Sequence, residues 1–505
     1  MTKNFTLFTL LVSFTVLFSS CGDDDEGENF VNEDPATFAE IGEIMLVGGE
    51  GAAEISAFDP ATNLLFVQNN STGSTIDIVD LSDPTTPNST QSINITGGGG
   101  INSVAVGNGL LAVALEADNT QDNGVVIFFN TTTLEQVQQV TVGALPDMVT
   151  FTPDASLVVV ANEGEPSDDY TNDPVGSVSI ITVSNFNVQT LDFASFNGDE
   201  TALEAEGLRV FGPNATLAQD VEPEFVTISD DSRTAWVSLQ ENNGIARVDL
   251  TTATITDIFP LGFKDFSVAG NEIDASDEDG TVSLASRPVL GIYQPDAIAY
   301  FSTGSAEYIV TANEGDAREY DAFEEEERIA DVTLDPTNFP DAATLQEEAN
   351  LGRLKITNTL GNTDGDDEFE VLYAYGARSF SIWDANDGEL VFDSGNDIEE
   401  RVINNSSLYP DNRSDDKGVE PEGVAVGNVG GRTIAFIGLE RADAVVVYDI
   451  TNPTSPQYLQ LLEVGDAPEG IVFVSAADSP TGGSLLIVSS EDDGVVKIFQ
   501  PSLIM

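Results

Sequence analysis

Histidine is absent from this sequence of 505 residues, and Cys21 is its only cysteine. The lack of imidazole excludes Ser-His-Asp triads, histidine acid–base catalysis and histidine metal ligands. The single cysteine excludes an intrachain disulfide. Any metal site must therefore use mainly oxygen ligands, which suit Ca²⁺ or Mg²⁺.

Basic residues and long apolar runs are also scarce. Lys and Arg number 17 against 87 Asp and Glu, which gives a formal net charge of −70. Such a surface repels nucleic acids and anionic lipid headgroups and attracts cations. After residue 20, no run approaches the ~18 apolar residues of a membrane-spanning helix. We therefore expect divalent cations as partners, no nucleic acid, and membrane contact only through an anchor.

The N-terminal segment has the features of a bacterial lipoprotein signal. Lys3 precedes a mostly apolar stretch, 5–18, and two serines come directly before Cys21. This arrangement resembles a lipoprotein box, with Phe18 where leucine is usual. It predicts that Cys21 is acylated and anchors the chain to a membrane.

An acidic run, GDDDEGE, follows the cysteine directly. It resembles the tether that routes some lipoproteins to the outer face of the cell, and its composition predicts a flexible stalk. We therefore expect a signal peptide at 1–20 and an acidic tether at 21–36. The predicted location is the outer membrane, with the protein exposed at the cell surface.

The rest of the chain repeats one unit. Each copy begins with an acidic or amide residue, often after proline, and continues with short apolar runs separated by turns. The unit is clearest in 421–450, and the copies that begin at Asn102 and Asp147 are 45 residues apart. A period in the forties with several strands per unit is typical of β-propellers. We therefore predict an all-β propeller in a single domain, 37–505.

Seven copies of the unit are clear in the sequence, and the existence of an eighth blade is left undecided. The interval from Asp296 to Glu422 is too long for one unit, and 369–394 within it resembles a degenerate extra blade. The segment 37–48 is predicted to be one strand that completes the last blade beside 468–499, which would remove exposed sheet edges. Insertions interrupt the period near 194–219, 263–292 and 317–350.

Acidic residues recur at two positions of the repeat. In a propeller blade the first strand lines the central channel and the second returns antiparallel beside it. The start of the first strand and the end of the second therefore lie on one face, around the pore. The acids at the start, here called the leading acids, are Glu54, Asp147, Glu224, Asp296, Glu422 and Glu469. The acids that end the second strand, here called the closing acids, are Glu116, Glu163, Glu241, Glu314, Glu440 and Glu491.

Two interpretations of these acids are compatible with the sequence. Each carboxylate could accept hydrogen bonds from backbone N–H groups of the neighbouring blade and so hold the blades together. Alternatively the acids bind calcium, with magnesium as a second choice, because a cation relieves the repulsion that would raise their pKa values. The preferred candidate ligands are Glu163, Glu165, Asp296, Glu314, Asp316, Glu422, Glu440 and Glu469. Three arginines expected near the same rim would neutralise acids or hold an anionic ligand: Arg318, Arg378 and Arg441.

A separate candidate calcium site lies in the loop 362–370. Asp364, Asp366 and Glu368 place oxygen side chains at every second position, with a glycine among them, as in the first half of a calcium loop. The distal glutamate of an EF-hand is missing, because Tyr373 stands at its position. A solvated turn is the alternative. A weaker version of the pattern occurs at Asp274, Asp277, Asp279 and Gly280.

Four stretches resemble one family of surface proteins. They are VANEGEPSDDY, TANEGDAREY, LGRLKITNTLGNTDGDDEFEVLYAYGARSFSIWD and KGVEPEGVAVG. On these stretches the sequence resembles the choice-of-anchor I family, which is related to mesenchyme-specific cell surface glycoproteins linked to biomineralisation. The resemblance covers residues 40–500 and implies a β-propeller ectodomain carried by varied surface anchors. It transfers no established catalytic residues.

Two functions are compatible with these features. The first is a lipid-anchored, surface-displayed propeller that binds calcium and a surface protein, polysaccharide or mineral in an adhesive or structural role. The second is a calcium-dependent phosphoesterase, in which rim carboxylates hold metal ions that polarise a phosphoryl group. Some members of the resembling family are labelled alkaline phosphatases. We favour the first, because the sequence offers no cluster of lysine and arginine for a phosphate.

Overall fold

Seven four-stranded antiparallel sheets dominate the structure, a computed structural model that describes residues 31–405 and 407–504. The strands are short runs rich in valine, isoleucine and leucine, residues that favour a pleated, buried surface. Second strands such as Leu157–Asn162 are almost wholly buried, because both of their faces meet other sheets. The predicted signal peptide and Cys21 lie outside the described residues.

The sheets are numbered here by the order of their first strands in the repeat. Sheet 1 contains Ser56–Asp59, Leu64–Asn69, Thr75–Asp80 and Asn88–Asn94. Sheet 2 contains Ile101–Gly107, Leu110–Leu115, Asn123–Asn130 and Gln136–Ala144. Sheet 3 contains Pro146–Phe151, Leu157–Asn162, Ser177–Thr182 and Asn187–Asp192. Sheet 4 contains Pro223–Ile228, Thr234–Leu239, Gly244–Asp249 and Thr254–Pro260.

The other three sheets follow the same pattern with two variations. Sheet 5 contains Ile298–Thr303, Ala306–Asn313, Ser379–Asp384 and Leu390–Asp393. Sheet 6 contains Pro421–Val429, Arg432–Leu439, Ala444–Asp449 and Gln457–Glu463. Sheet 7 contains Pro468–Val474, Leu485–Ser490, Val495–Leu503 and the N-terminal strand Glu33–Met45.

The first strands of the seven sheets contact one another in chain order. The series ends where the first strand of sheet 7 contacts the first strand of sheet 1. Apolar side chains fill the space between neighbouring sheets, as where Phe128 of sheet 2 packs with Val149 and Val158 of sheet 3. The prediction of an all-β, propeller-like arrangement is confirmed at this level.

The N-terminal strand Glu33–Met45 pairs antiparallel with the last strand, Val495–Leu503. The carboxylate of Glu33 is buried and accepts hydrogen bonds from the backbone N–H (2.8 Å) and hydroxyl (2.7 Å) of Ser484. The strand begins inside the predicted tether, 21–36. The last four residues of that prediction were wrong, because Glu33 is a buried acceptor of the sheet rather than part of a solvated stalk.

The segment that resembled an eighth blade belongs to sheet 5. Its strands Ser379–Asp384 and Leu390–Asp393 are the third and fourth strands of that sheet and follow Ala306–Asn313 directly in space. A long insertion separates the second and third strands in sequence. The extra-blade interpretation was therefore wrong.

The insertions carry the remaining secondary structure. Small sheets are formed by Phe263–Asp265 with Leu290–Ile292 and Tyr373–Ala374, by Glu319–Tyr320 with Phe323–Glu324, and by Glu326–Arg328 with Lys355–Thr357. The α-helices are Glu200–Glu204, Leu217–Asp220, Ala342–Leu345 and Asp397–Asn404. Short 3₁₀ helices span Ala194–Phe196, Asp411–Arg413 and Glu440–Ala442, and a π-helical turn spans Glu348–Gly352. Within the described ranges, no helix is long and apolar enough to cross a membrane.

Replacing Phe38 by alanine should destabilise the protein strongly. Phe38 is 2% exposed and packs edge-to-face on Phe436 of sheet 6, with ring centroids 5.2 Å apart. Its loss leaves a cavity where the N-terminal strand meets that sheet, and such changes cost about 3–5 kcal/mol. Denaturant unfolding measures this loss. Met45→Ala, on the same strand but 71% exposed, is the control, and equal effects of the two variants would contradict the packing described here.

Candidate functional site

The turns that lead into the first strands share an unusual backbone conformation. In four of them the residue before the leading proline has a positive φ: Leu145 (47°), Gln294 (43°), Glu420 (52°) and Ala467 (55°). This conformation is uncommon for residues other than glycine, and a following proline normally favours an extended chain. Hydrogen bonds hold three of these turns, since the carbonyls of Leu145, Glu420 and Ala467 accept the N–H groups of Glu163, Glu440 and Glu491. Each such turn thus fixes a leading acid beside a closing acid.

The leading acid of several sheets then lies in a β-bulge. In sheet 4, Glu224 and Phe225 together oppose one residue of the second strand. Sheets 3 and 6 have the same irregularity at Asp147 and Glu422. A bulge redirects side chains at the end of a strand. The repeat therefore contains both the leading acid and the β-bulge that orients its side chain.

The leading acids of different sheets meet at one central cavity. Asp147, Asp296 and Glu469 line this cavity of about 350 Å³, together with apolar residues of the first strands. The expected convergence of acids around the axis is thus present. We call the region where leading and closing acids meet the pore mouth.

The tightest group of acids at the pore mouth joins sheets 5 and 6. Asp296, Glu314 and Glu422 each place a carboxylate oxygen within 4.8 Å of the other two. Glu422 Oε2 is buried and has no hydrogen-bond partner among the described residues. Three half-buried carboxylates with an unpaired oxygen form an acceptor set of the kind that holds a hard cation.

A second group shares Glu314 and already contains cationic side chains. Glu314, Glu420 and Glu440 also have carboxylate oxygens within 4.8 Å of one another. Lys417 Nζ lies 2.6 Å from Glu314 and 3.5 Å from Glu420. Arg441 lies 2.7 Å from Glu440 and 3.4 Å from Glu420. The chain therefore neutralises this second group with its own lysine and arginine.

Crowding and burial shift the protonation of these acids. Burial and the carboxylate of Glu314 raise the pKa of Glu440 to about 8. Burial and Glu165 raise the pKa of Asp147 to about 7, and burial and Glu491 raise that of Glu54 to about 7. Burial, followed by neighbouring carboxylates, also raises the pKa values of further leading acids well above their usual range: Glu224, Asp296, Glu422 and Glu469.

Lys417 behaves in the opposite way. Burial opposes its charge, but the carboxylates of Glu314, Glu420 and Asp316 outweigh this effect and raise its pKa well above the usual range. Lys417 therefore stays charged at the pore mouth. The side chain of Asp316 is half exposed and lies 3.8 Å from its ammonium group.

The blade-locking interpretation finds little support in the hydrogen bonds. Among the side-chain hydrogen bonds of the described residues, Glu116 is the one leading or closing acid that accepts a backbone N–H, from Gly100 at 2.7 Å. The candidate ligand Glu165 accepts from the Tyr320 hydroxyl at 3.2 Å. Glu163 and Asp147 lie close together: burial and the carboxylate of Asp147 raise the pKa of Glu163, whereas a side-chain hydrogen bond with Glu163 lowers the pKa of Asp147.

Two of the three predicted rim arginines are buried and use their donors inside the protein. Arg318 is 2% exposed and pairs with Asp220 (2.7 Å) and Glu222 (3.0 Å). Arg378 is equally buried and donates mainly to backbone carbonyl groups. Of the two predicted roles, neutralising acids agrees with these pairs, and holding an anionic ligand stays a prediction. Arg441 does lie at the pore mouth.

Sequence reasoning missed Glu420, a member of the second group, and two cations that pair with it, Arg413 and Lys417. Glu420 stands just before the leading proline of sheet 6, where the other sheets with the positive-φ turn have leucine, glutamine or alanine. That departure from the repeat, inside the stretch KGVEPEGVAVG, was the available signal.

The predicted calcium loop has an altered membership. Asp364, Asp366 and Glu370 have carboxylate oxygens within 4.8 Å of one another, and Glu368 is not part of this group. Glu370 also accepts hydrogen bonds from the N–H (2.6 Å) and hydroxyl (2.8 Å) of Thr363. Both aspartates are exposed, as expected of a surface loop.

Comparison with solved structures supports the fold alone. Hydrazine synthase from Kuenenia stuttgartiensis aligns with a TM-score of 0.50 over 90% of this chain and 97% of that chain. The two sequences are 12% identical, so nothing about activity follows.

Two curated relatives are similar in sequence. Gigasin-3a of Magallana gigas is 30% identical over 189 residues, which cover 31% of this chain and 66% of the relative. The mesenchyme-specific cell surface glycoprotein of Strongylocentrotus purpuratus is 28% identical over 331 residues, which cover 55% of this chain and 42% of the relative. The chain thus spans less than two thirds of either relative.

The family comparison covers much more of the chain. The model of the choice-of-anchor I domain matches residues 54–453, which include the first six sheets up to the third strand of sheet 6. Together with the sequence resemblance, this match shows that the protein belongs to the choice-of-anchor I domain family.

Proposed function

We propose that this protein is a surface-displayed, seven-bladed propeller that binds calcium at the pore mouth and uses the bound ion in an adhesive or structural role. The observation that carries the proposal is the group Asp296, Glu314 and Glu422, with its buried, unpartnered oxygen on Glu422. A divalent cation would satisfy that oxygen and relieve the repulsion among three half-buried carboxylates.

Calcium fits this group better than magnesium. Calcium accepts six to eight oxygen ligands in irregular arrangements, whereas Mg²⁺ requires near-ideal octahedral geometry and keeps its waters. The three acids come from two sheets and offer carboxylate oxygens within 4.8 Å of one another. Water from the central cavity would complete the coordination of a calcium ion.

Lys417 is the internal competitor of a bound ion. Its ammonium group lies 2.6 Å from Glu314, the acid shared by both groups. A calcium ion at Asp296, Glu314 and Glu422 would have to share Glu314 with Lys417 or displace it towards Glu420. Calcium affinity is therefore set partly by the charge of this lysine.

Surface location is supported by the relatives and by the leader. One relative is named a cell surface glycoprotein, and the leader resembles that of a bacterial lipoprotein. We infer that lipid on Cys21 anchors the protein in the outer membrane and that residues 22–32 connect the lipid to the first strand.

The partner would be recognised through calcium. With a net charge of −70, the protein repels anionic polysaccharides, acidic proteins and anionic mineral surfaces unless a cation bridges the two. Nothing in the arrangement favours phosphoesterase activity, since Arg318 and Arg378 are occupied by internal partners. We therefore propose calcium-bridged binding without turnover.

Calcium titration of the chelator-treated full chain should show a dissociation constant on the order of 10⁻⁶ to 10⁻³ M. Glu422→Gln should weaken binding by about tenfold or more, the scale seen when a group that supports a metal is lost. Lys417→Gln should strengthen it, because the competing charge is removed. Calorimetry measures the calcium dissociation constants of the parent chain and of both variants. At a free calcium concentration of 100 times its dissociation constant, the ion should raise the free energy of unfolding by about 2.7 kcal/mol.

Glu116→Gln is the matched control for this titration. Glu116 occupies the closing position of sheet 2, but its carboxylate accepts the N–H of Gly100. Calcium affinity should not change in this variant. Asp364→Asn tests the candidate calcium loop 362–370 independently of the pore mouth. A loss of all calcium binding in that variant would refute the pore-mouth assignment.

Stability without calcium should fall as the pH rises from about 5 to 8.5. The folded pKa values of Glu54, Asp147 and Glu440, about 7, 7 and 8, lie above their usual values. The folded state therefore binds more protons than the unfolded state in this window, and each extra proton lowers the unfolding free energy by about 1.4 kcal/mol per pH unit. The stabilisation is complete below pH 4 and is lost as the pH passes the folded pKa values.

Thermal melts across this pH range, in the presence of a chelator, test the expectation. Glu440→Gln should flatten the dependence, whereas Glu135→Gln, in the exposed turn before the strand Gln136–Ala144, should leave it unchanged. A melting temperature that rises with pH over the same range would show that the pore-mouth carboxylates are not crowded as described.

A further inference from the structure

Four buried side-chain oxygens form a second group, outside the leading and closing acids. They are Asp274 Oδ1, Glu399 Oε2, Tyr409 Oη and Asp411 Oδ1, and none has a hydrogen-bond partner among the described residues. Asp274 and Glu399 are 0% and 1% exposed. Buried acceptors are normally paired, because an unpaired one loses its hydration without compensation. This group therefore points to a ligand that the four oxygens share.

Arg378 brings together the three segments that carry these oxygens. Its Nη1 donates to the carbonyl of Asp274 at 2.6 Å and lies 3.4 Å from Glu399 Oε1. Its Nη2 donates to the carbonyls of Ser414 and Asp416, both at 2.8 Å. The insertion 263–292, the helix Asp397–Asn404 and the loop after that helix thus meet at one guanidinium group.

Tyr409 lies among the acids of this group. Burial raises the pKa of its hydroxyl, and the carboxylates of Glu399, Asp274 and Asp411 raise it further, against the effect of Arg378. Burial also raises the pKa of Asp274, which has Asp279 and Asp411 as neighbouring like charges. The phenol and the carboxylates therefore lie close enough to affect one another's protonation.

The charges around this space do not balance. Four carboxylates, those of Asp274, Asp279, Glu399 and Asp411, face two guanidinium groups, those of Arg287 and Arg378.

The neighbouring groups do not remove this imbalance. Arg287 donates to the amide oxygen of Asn350 at 2.6 Å rather than to an acid. Asp277, a neighbouring like charge of Asp411, is neutralised by Arg353 through two hydrogen bonds of 2.9 Å. Lys264 is a further cation that acts on Glu399, and its ammonium group pairs with Asp393 at 2.9 Å.

We propose that Asp274, Glu399, Tyr409 and Asp411 form a buried divalent-cation site, with calcium as the preferred ion. The ligand set consists only of oxygens, and the deficit of positive charge equals the charge of one such ion. The bound ion joins the insertion 263–292 to the helix Asp397–Asn404. It is separate from the pore-mouth site and does not depend on it.

The carboxylates of Asp274, Glu399 and Asp411 are less closely grouped than those of the pore mouth, since their oxygens do not all lie within 4.8 Å of one another. A cation would draw them inward to the 2.3–2.6 Å coordination distances of calcium. A water molecule could donate to only two of the four oxygens and would leave the charge unbalanced.

Terbium is a direct probe, because a tyrosine beside the ion transfers excitation to it. We expect tyrosine-sensitised terbium emission from the full chain, displaced by added calcium and retained in Glu422→Gln. Tyr409→Phe should remove most of that emission without loss of fold. Asp411→Asn should weaken calcium binding at this site by about tenfold or more and lower the calcium stoichiometry by one ion. Asp274→Asn should do the same, with its melting curve as the check on folding.

Asp277→Asn is the matched control from the same segment, and its calcium stoichiometry should equal that of the parent chain. Emission that survives both Tyr409→Phe and Asp411→Asn would overturn the proposal. An unchanged stoichiometry in Asp411→Asn would also overturn it, and would mean that protons or solvent satisfy these oxygens. Because Glu422→Gln affects only the pore mouth, failure of one site is distinguishable from failure of the other.

Discussion

The series of first strands, which returns from sheet 7 to sheet 1, is the constraint on which the rest of the structure depends. Every leading turn faces the same axis, so a residue type repeated along the sequence is also repeated around one small space. For apolar residues this produces the core between sheets. For acids it produces crowding that no single blade would experience. Burial, and then the neighbouring carboxylates, raise the pKa values of Asp147, Asp296 and Glu469. Positive-φ turns and bulges hold the acids there against their repulsion.

The positions of the few basic residues explain why the acids at the axis have few cationic partners. Of the 17 lysines and arginines, Arg209, Arg318 and Arg378 are almost fully buried, and Arg209 and Arg318 pair with acids such as Glu325 and Asp220. Removing one partner of a buried pair leaves an uncompensated charge, so these arginines are committed to the insertions. The acids at the axis are left with few internal cations, chiefly Lys417 and Arg441.

The sequence predicted the features that depend on local periodicity and missed those that depend on distant contacts. Repeats of alternating apolar residues predicted the sheets, the pairing of the N-terminal strand with the last one, and the meeting of acids at the axis. Sheet 5 escaped prediction because 65 residues separate Asn313 from Ser379, and no local signal shows that such a strand returns to its sheet. The partners of Arg318 escaped prediction for a similar reason, since Asp220 and Glu222 lie about a hundred residues earlier.

At the pore mouth, carboxylates are tightly grouped where the sequence departs from the repeat, and not at every repeated acid. Every sheet but one places a leading acid near the axis, yet the two tight carboxylate groups both lie between sheets 5 and 6. The difference is Glu420, which adds a second acid beside the leading proline of sheet 6 and draws in Lys417, Arg413 and Arg441. Lys417 contacts Glu314, which both groups share, but the other group still has three carboxylates and an unpaired oxygen on Glu422. Under the proposed function an external cation would bind there, and this would distinguish one position on an otherwise repetitive ring.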